Sequence, residues 1–341
     1  MRAGFRLGLT ILSMTALMAT PAKADAVEDF YKGRTLTLVV GYSAGGGFDL
    51  YARSFAKHLR NHVPGNPTVV VQNMPGAGSL TATNYIYNVS PKDGSVFALA
   101  RAPVMELLAG TSRSAFETGK FTWIGNGATE LSTCALLHNP QVATLADAQK
   151  HPFTLAGLGP GSDEDMFTKV LNNLFDMKAR LINGYPGGAE AMLAVERGEV
   201  DGRCGWAYSS LAIAKPEWIA QKRIKVLATL TLARSPVLPE IPSVMEFAKT
   251  DRQKQILTLV IGSQTLGRPF FAPPGVPPDR AAALRSAFER TMSDPAFIAD
   301  RRASGEDVNP ATAAEIEALM AKLSATPKEL VQETRAIIAG N

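Results

Sequence analysis

The sequence predicts an α/β protein of two lobes, each a mainly parallel sheet flanked by helices. Three observations carry that expectation. Strand, glycine turn and helix recur as a unit from residue 36 onward. A second series of such units restarts near residue 153. The chain is 341 residues long and 46 % apolar, which exceeds one ordinary core and suits two.

The first series opens with Leu36–Gly41, an apolar run followed by Ser-Ala-Gly-Gly-Gly and a helix from about Asp49 to His62. Apolar Leu50, Phe55, Ala56 and Leu59 recur there at helical spacing. Thr68–Val71 is β-branched and predicts the second strand, and Pro75-Gly76-Ala77-Gly78 turns into a helix reaching Val89. A turn at Pro91–Gly94 precedes a third strand over Ser95–Ala100. Repeated βα units of this kind imply a parallel sheet covered by helices. Strand-like pieces follow around Trp123–Gly127 and Cys134–Leu137. The second series comprises strands Phe153–Gly157, Ala179–Ile182 and Val200–Trp206, with helices over Asp163–Phe175 and Ala189–Arg197. Ile224–Leu230 is a further strand. Beyond it come proline-rich connections and helices at about 279–292 and 311–324.

Residues 1–24 have the form of a secretory leader. Arg2 and Arg6 precede an apolar stretch from Leu7 to Met18, and Ala22-Lys23-Ala24 is an A-x-A cleavage site. That stretch, about 12 residues, falls short of the ~20 a bilayer span needs. The mature protein is therefore expected in the periplasm. Of the 35 basic residues three lie in the leader, leaving 32 against 31 acidic ones. Such a balance does not suit a nucleic-acid binder. Cys134 and Cys204, the only two cysteines, are too few for a disulfide scaffold or a four-ligand zinc site. An exported protein permits a disulfide between them; two isolated buried thiols are the equal alternative.

Four glycine turns lie between a strand end and a helix start: Ser43–Asp49, Asn73–Ser79, Gly157–Asp163 and Tyr185–Gly188. Ligands of open parallel sheets sit at such strand ends, and a helix N-terminus offers unpaired N–H groups and a dipole suited to an anion. Two such rims facing each other would clamp a carboxylate. Competing chemistries fare worse. No P-loop is present, and Pro160 interrupts the only approach to a dinucleotide fingerprint. His58 and His62 share a helix face without the Glu of a zinc-protease motif, and a solvated helix end accounts for them. Gly41-Tyr42-Ser43-Ala44-Gly45 fits the nucleophile elbow of a serine hydrolase. No histidine follows His151, however, so the late His of that mechanism is missing.

Several elements in order resemble the solute receptors of tripartite tricarboxylate transporters, the Bug-type receptors. They are Ala44-Gly45-Gly46-Gly47-x-Asp49-x-x-Ala52-Arg53, then Asn73-x-Pro75-Gly76-Ala77-Gly78, then Pro91-x-Asp93-Gly94. Gly157 to Ser162, Tyr185-x-Gly187, Gly198-Glu199-Val200-Asp201 and Pro273-Pro274-Gly275-Val276-Pro277 continue the match. The resemblance implies a type II-like periplasmic binding fold that closes on an organic acid and delivers it to a membrane permease, with no cofactor, metal or catalytic residue. Lobe 1 would hold residues 25–128 and 231–341, lobe 2 residues 129–230, with closure about the crossings near 129 and 230.

Carried over by position, the resemblance implies ligand contacts from Ser43, Ala44, Gly45, Gly46, Gly47, Phe48 and Asp49, and from Ala77 and Gly78. Lobe 2 would contribute Gly159, Gly161, Ser162, Asp163, Tyr185 and Gly187. Asp49 is expected to cap the helix or order its loop. Ser162 would donate a hydroxyl to the far end of a diacid. Phe48 and Met74 stand where the family carries polar residues, which argues against citrate. Arg101 is the expected cationic partner, whereas Arg203 is expected on the surface. The ligand is a mono- or dicarboxylate, with an aromatic body allowed, and the protein a monomer. The rival is a periplasmic hydrolase using Ser43.

Overall fold

The structure, a computed structural model, describes residues 23–109, 114–304 and 308–340. Residues 1–22 of the expected leader lie outside the described residues. Two sheets form the frame. The first contains β1 (Thr35–Val40), β2 (Thr68–Asn73), β3 (Val96–Leu99), β4 (Thr122–Asn126), β10 (Pro269–Ala272) and β11 (Ala311–Thr312). The second contains β5 (Ser132–Leu136), β6 (Phe153–Gly157), β7 (Ala179–Asn183), β8 (Gly202–Ala207) and β9 (Lys225–Thr229). Their strand orders are β11-β4-β10-β3-β1-β2 and β7-β6-β8-β5-β9.

The two-lobed α/β class stands, but the sheets are mixed. In the first, β1 pairs in parallel with β2 and β3, while β10 runs antiparallel to β3 and β4. In the second, β6 is parallel to β7 and β8, while β5 is antiparallel to β8 and β9. The reason is connectivity. Strands built from βα units run one way, and the strands that carry the chain between lobes enter against them. Residues 127–131 cross from β4 to β5, and the return passes beside them before β10. Gly127 N–H donates to Arg268 O at 2.9 Å, and Gly267 N–H to Ala128 O at 3.0 Å.

Helices cover both sheets. α1 (Lys23–Tyr31), α2 (Gly47–Leu59), α3 (Leu80–Asn88) and α4 (Ala102–Ala109) belong to the first series. α2 buries Tyr51, Ala52, Phe55, Ala56 and Leu59 on one face. The Phe55 ring lies 4.5 Å from that of Phe270 on β10. α5 (Leu145–Ala148), α6 (Asp163–Phe175), α7 (Gly188–Glu196), α8 (Tyr208–Ala214) and α9 (Pro216–Ala220) flank the second sheet. α10 (Asp251–Gly262), α11 (Pro278–Ser293), α12 (Pro295–Ala303), α13 (Ala313–Ser324) and α14 (Lys328–Ala339) close the chain. Capping boxes start α5, α10 and α13 at Thr144, Thr250 and Thr312. α14 packs on α4 and on α6, tying the two halves together behind the cleft. Among the described residues no helix is long and apolar enough to cross a membrane.

A candidate anion site between the lobes

The βα turns of both lobes meet at one cleft. α2 begins after Gly46 and α7 after Gly187, and neither N-cap residue supplies a side chain to the first-turn amides. The two starts face each other. A Cβ built on Gly46 would lie 3.6 Å from Ala189 N and 3.8 Å from Gly188 N. Each start carries unpaired N–H groups and about half a positive charge from its dipole. Closeness is enforced by glycine: a side chain at Gly47 would overlap Ser210, and one at Gly187 would overlap Ser43. Gly78, at φ +60°, packs against Ser162 N, 2.8 Å from where its Cβ would stand.

A cavity of about 50 Å³ lies between these rims. Its wall includes Gly46, Gly47 and Phe48 from lobe 1, Gly188 and Met192 from α7, and Arg101, Arg203 and Trp206. All three of these last side chains are at least nine-tenths buried. The Nε atoms of Arg101 and Arg203 and the indole Nε1 of Trp206 are buried and have no hydrogen-bond partner among the described residues. Three buried donors without acceptors are costly unless something else accepts from them. Two of these three side chains are guanidinium groups, so the wall carries buried positive charge beside the helix starts.

Other guanidinium atoms are engaged. Arg101 Nη2 donates across the lobes to Asp163 Oδ1 at 3.1 Å. Arg203 Nη2 donates to Glu164, and its Nη1 to Gly188 O at 3.3 Å. Arg268 Nη1 meets Glu130 Oε2 at 2.6 Å, joining the two crossing segments. Burial pushes the Glu164 carboxyl above its ordinary range, with Arg203 pulling against it and Asp163 adding to it. Burial and the Asp163 carboxylate likewise push the Tyr42 phenol up, so it is a neutral donor at ordinary pH. Tyr42 and Phe48 pack at 4.2 Å between ring centroids, and the Arg268 guanidinium sits 4.4 Å over Phe48.

The sequence-derived residues divide accordingly. Gly46, Gly47, Phe48, Arg101 and Asp163 line the cavity, whereas Ser43, Gly187 and Gly78 form lobe-to-lobe contacts beside it. Ser43 Oγ donates to Glu190 Oε2 across the cleft at 2.5 Å. Asp49 lies outside the wall and orders the loop: its carboxylate accepts from Gly45 N–H at 2.9 Å, Arg53 and Asn73. Burial would raise that carboxyl, but the hydrogen bonds from Arg53, Gly45 and Asn73 prevail and hold it below its ordinary range. Ala44 and Gly45 are exposed on the loop, and Tyr185 is half-buried outside the wall. Ala77 is held at φ +46°, at the start of the left-handed run through Gly78 to Ser79. Gly159 and Gly161 stand behind α6's first turn, and Gly161 borders a separate pocket with Lys169 and Arg335. Ser162 is occupied as the α6 N-cap, accepting from Asp165 N–H at 3.2 Å. Cys134 and Cys204 are joined directly across β5 and β8.

Two expectations need correction. Arg203 is not a surface residue. β8 is covered on both faces, so a side chain at 203 is buried and the guanidinium turns to Glu164 and the cavity. Nor is the α2 end with His58 simply solvated: His58 is buried and meets Asp300 at 2.8 Å, while His62 meets Asp294 at 2.9 Å. Neither histidine reaches Ser43, whose partner is a carboxylate. The charged cavity residues that sequence reasoning missed are Glu130, Glu164 and Arg268, and it missed apolar and small ones such as Leu158, Met192 and Ser210 as well. The one local signal among them is Gly267-Arg268-Pro269, a lone charge ahead of an apolar strand.

The sequence pattern of the tripartite tricarboxylate transporter family receptor matches residues 51–335. The chain belongs to that family. Its members are solute-binding receptors and not enzymes, which removes the hydrolase alternative. The chain is 26 % identical over 305 residues to the UPF0065 protein in the gbd 5′ region of Cupriavidus necator, covering 87 % of this chain and 84 % of that one. Among solved structures it is similar to the periplasmic binding protein BugD, at TM-score 0.71 and 23 % identity, over 91 % of this chain and 98 % of the other. MatC of Rhodopseudomonas palustris, solved with bound malate, aligns at TM-score 0.69 and 18 % identity, over 89 % and 99 % of the two chains. At those identities the likeness is one of fold.

Proposed function

We propose that this receptor captures a small organic acid between its lobes in the periplasm and hands it to the membrane subunits of a tripartite transporter. The observation that carries the reading is the meeting of two uncapped helix starts, one from each lobe, at a cavity where Arg101, Arg203 and Trp206 hold donors without acceptors. A carboxylate suits the two helix starts and the guanidinium-lined wall between them. MatC, similar in fold, is solved with malate, which is also a small organic acid. Lobe 1 comprises residues 25–128 and 231–341 and lobe 2 residues 129–230. Closure turns on the paired crossings, and the closed shape is what the membrane partner recognises. Residues 1–24 direct export and are removed, the receptor works as a monomer, and the Cys134–Cys204 bridge forms after export.

A thermal-shift screen of unfolded and refolded protein against mono-, di- and tricarboxylates tests the reading. A ligand at 100 times its dissociation constant stabilises by about 2.7 kcal/mol and raises the midpoint visibly. A shift with one class of acid is the expected outcome. Silence across every acid sinks the proposal.

A further inference from the structure

The ionic groups of the cavity wall can be counted. Three guanidinium groups, Arg101, Arg203 and Arg268, face three carboxylates, Asp163, Glu164 and Glu130. Each guanidinium is paired with one carboxylate, so the side chains cancel before a ligand arrives. Five of the six groups are more than nine-tenths buried, and water screens such pairs little. What remains positive is the pair of helix starts at Gly47 and Gly188, each worth about half an elementary charge. Together they balance roughly one negative charge. Glu190, in the first turn of α7, is hydrogen-bonded by Ser43 and stands outside the cavity wall. The rest of the wall is apolar or aromatic: Phe48, Leu158, Met192 and Trp206.

We infer that this cleft selects an organic anion with a single net negative charge and an uncharged body, a monocarboxylate, over di- and tricarboxylates. The inference rests on the receptor reading and sharpens it. A first carboxylate finds the two helix starts in a wall that also presents Arg101 and Arg203. A second would enter a low-dielectric space already holding as many carboxylates as guanidinium groups, with no cation left to meet it. In this wall selectivity is set by the acidic residues. Glu130 and Glu164 act as the filter, because each neutralises an arginine that a dianion would otherwise use.

Calorimetry at neutral pH on refolded, ligand-free mature protein tests this with matched pairs: succinate against succinamate, adipate against adipamate, terephthalate against its half-amide. The half-amide keeps the shape and loses one charge. The expected result is at least about tenfold tighter binding of the half-amide in the pair that fits, equivalent to ~1.4 kcal/mol. Glu164→Gln and Glu130→Gln each remove one carboxylate at nearly constant shape. Each is expected to move that ratio toward the dianion by about tenfold or more. Thermal melts establish that each variant is folded, and either one suffices. A dianion bound as tightly as its half-amide by the wild type overturns the inference and leaves the receptor reading standing. So does an unchanged ratio in the folded variants. Absence of binding across the whole series, simple monocarboxylates included, sinks both.

Discussion

Helices α2 and α7 start on glycine, with no side-chain cap and one first-turn acidic residue each, Asp49 and Glu190, whereas α6 starts on Ser162 and carries Asp163, Glu164 and Asp165 in its first turn. All three starts lie at the cleft, and all three are marked in the sequence by the same kind of glycine turn. At α6 the protein satisfies the helix end itself, with a hydroxyl cap and three acidic residues that complement the dipole. At α2 and α7 it leaves the donors for something else. The difference teaches that a glycine turn before a helix is a place where an anion can bind, and that the first four residues after it decide whether one does.

The strongest way to break that contrast is Gly46→Asp. Gly46 has φ −79° and ψ 167°, which any residue adopts, and its Cβ would meet nothing closer than 3.6 Å. The new carboxylate caps α2 as Ser162 caps α6 and occupies the space between the helix starts. Calorimetry should find affinity reduced by at least about a hundredfold, ~2.8 kcal/mol, with the melting midpoint unchanged or slightly raised. Gly47→Ala comes next. Its methyl overlaps Ser210 across the cleft, so affinity should fall about tenfold or more while each lobe stays folded. Ser210→Gly in the same chain should restore much of the loss, and a double variant no better than Gly47→Ala alone would refute the lobe-contact explanation.

Smaller effects sharpen the comparison from either side. Ser43→Ala removes one hydrogen bond across the cleft to Glu190. It should weaken binding by about 1 kcal/mol, roughly fivefold, as read by titration against the preferred acid. Ser162→Ala should do the reverse, lowering stability by ~1 kcal/mol in denaturant melts while leaving ligand affinity in place. A large affinity loss in that variant would return Ser162 to the ligand.

Much of the frame was legible because it is local. Phe153–Gly157 and Asp163–Phe175 appear in the structure with the bounds that the alternation of strand, glycine turn and helix predicts. The rims were legible too, since glycine turns announce themselves over a few residues. What stayed hidden is pairing across long separations. Glu130 and Arg268 meet through crossings that lie 138 positions apart in the numbering, and no periodicity encodes such a pair. Arg203 was misplaced because an arginine in a strand suggests solvent until the partner, Glu164, is known to lie beneath the same helix start. α10 was readable from the Thr250–Gln253 capping box and the run Ile256–Ile261, but the prolines around it dominated the local pattern.

The place of β10 has a consequence for how the chain is made. Residues 269–272 sit between β3 and β4, so those two strands have no direct pairing with each other. Every strand of the second sheet lies within residues 132–229 and can pair as soon as that stretch is available. The first sheet must wait for the returning chain, holding two unpaired strand edges until it arrives. The lobe that begins the sequence is therefore the last to be finished. A chain cut short before Pro269 would keep a complete second sheet beside an aggregation-prone, half-built first one.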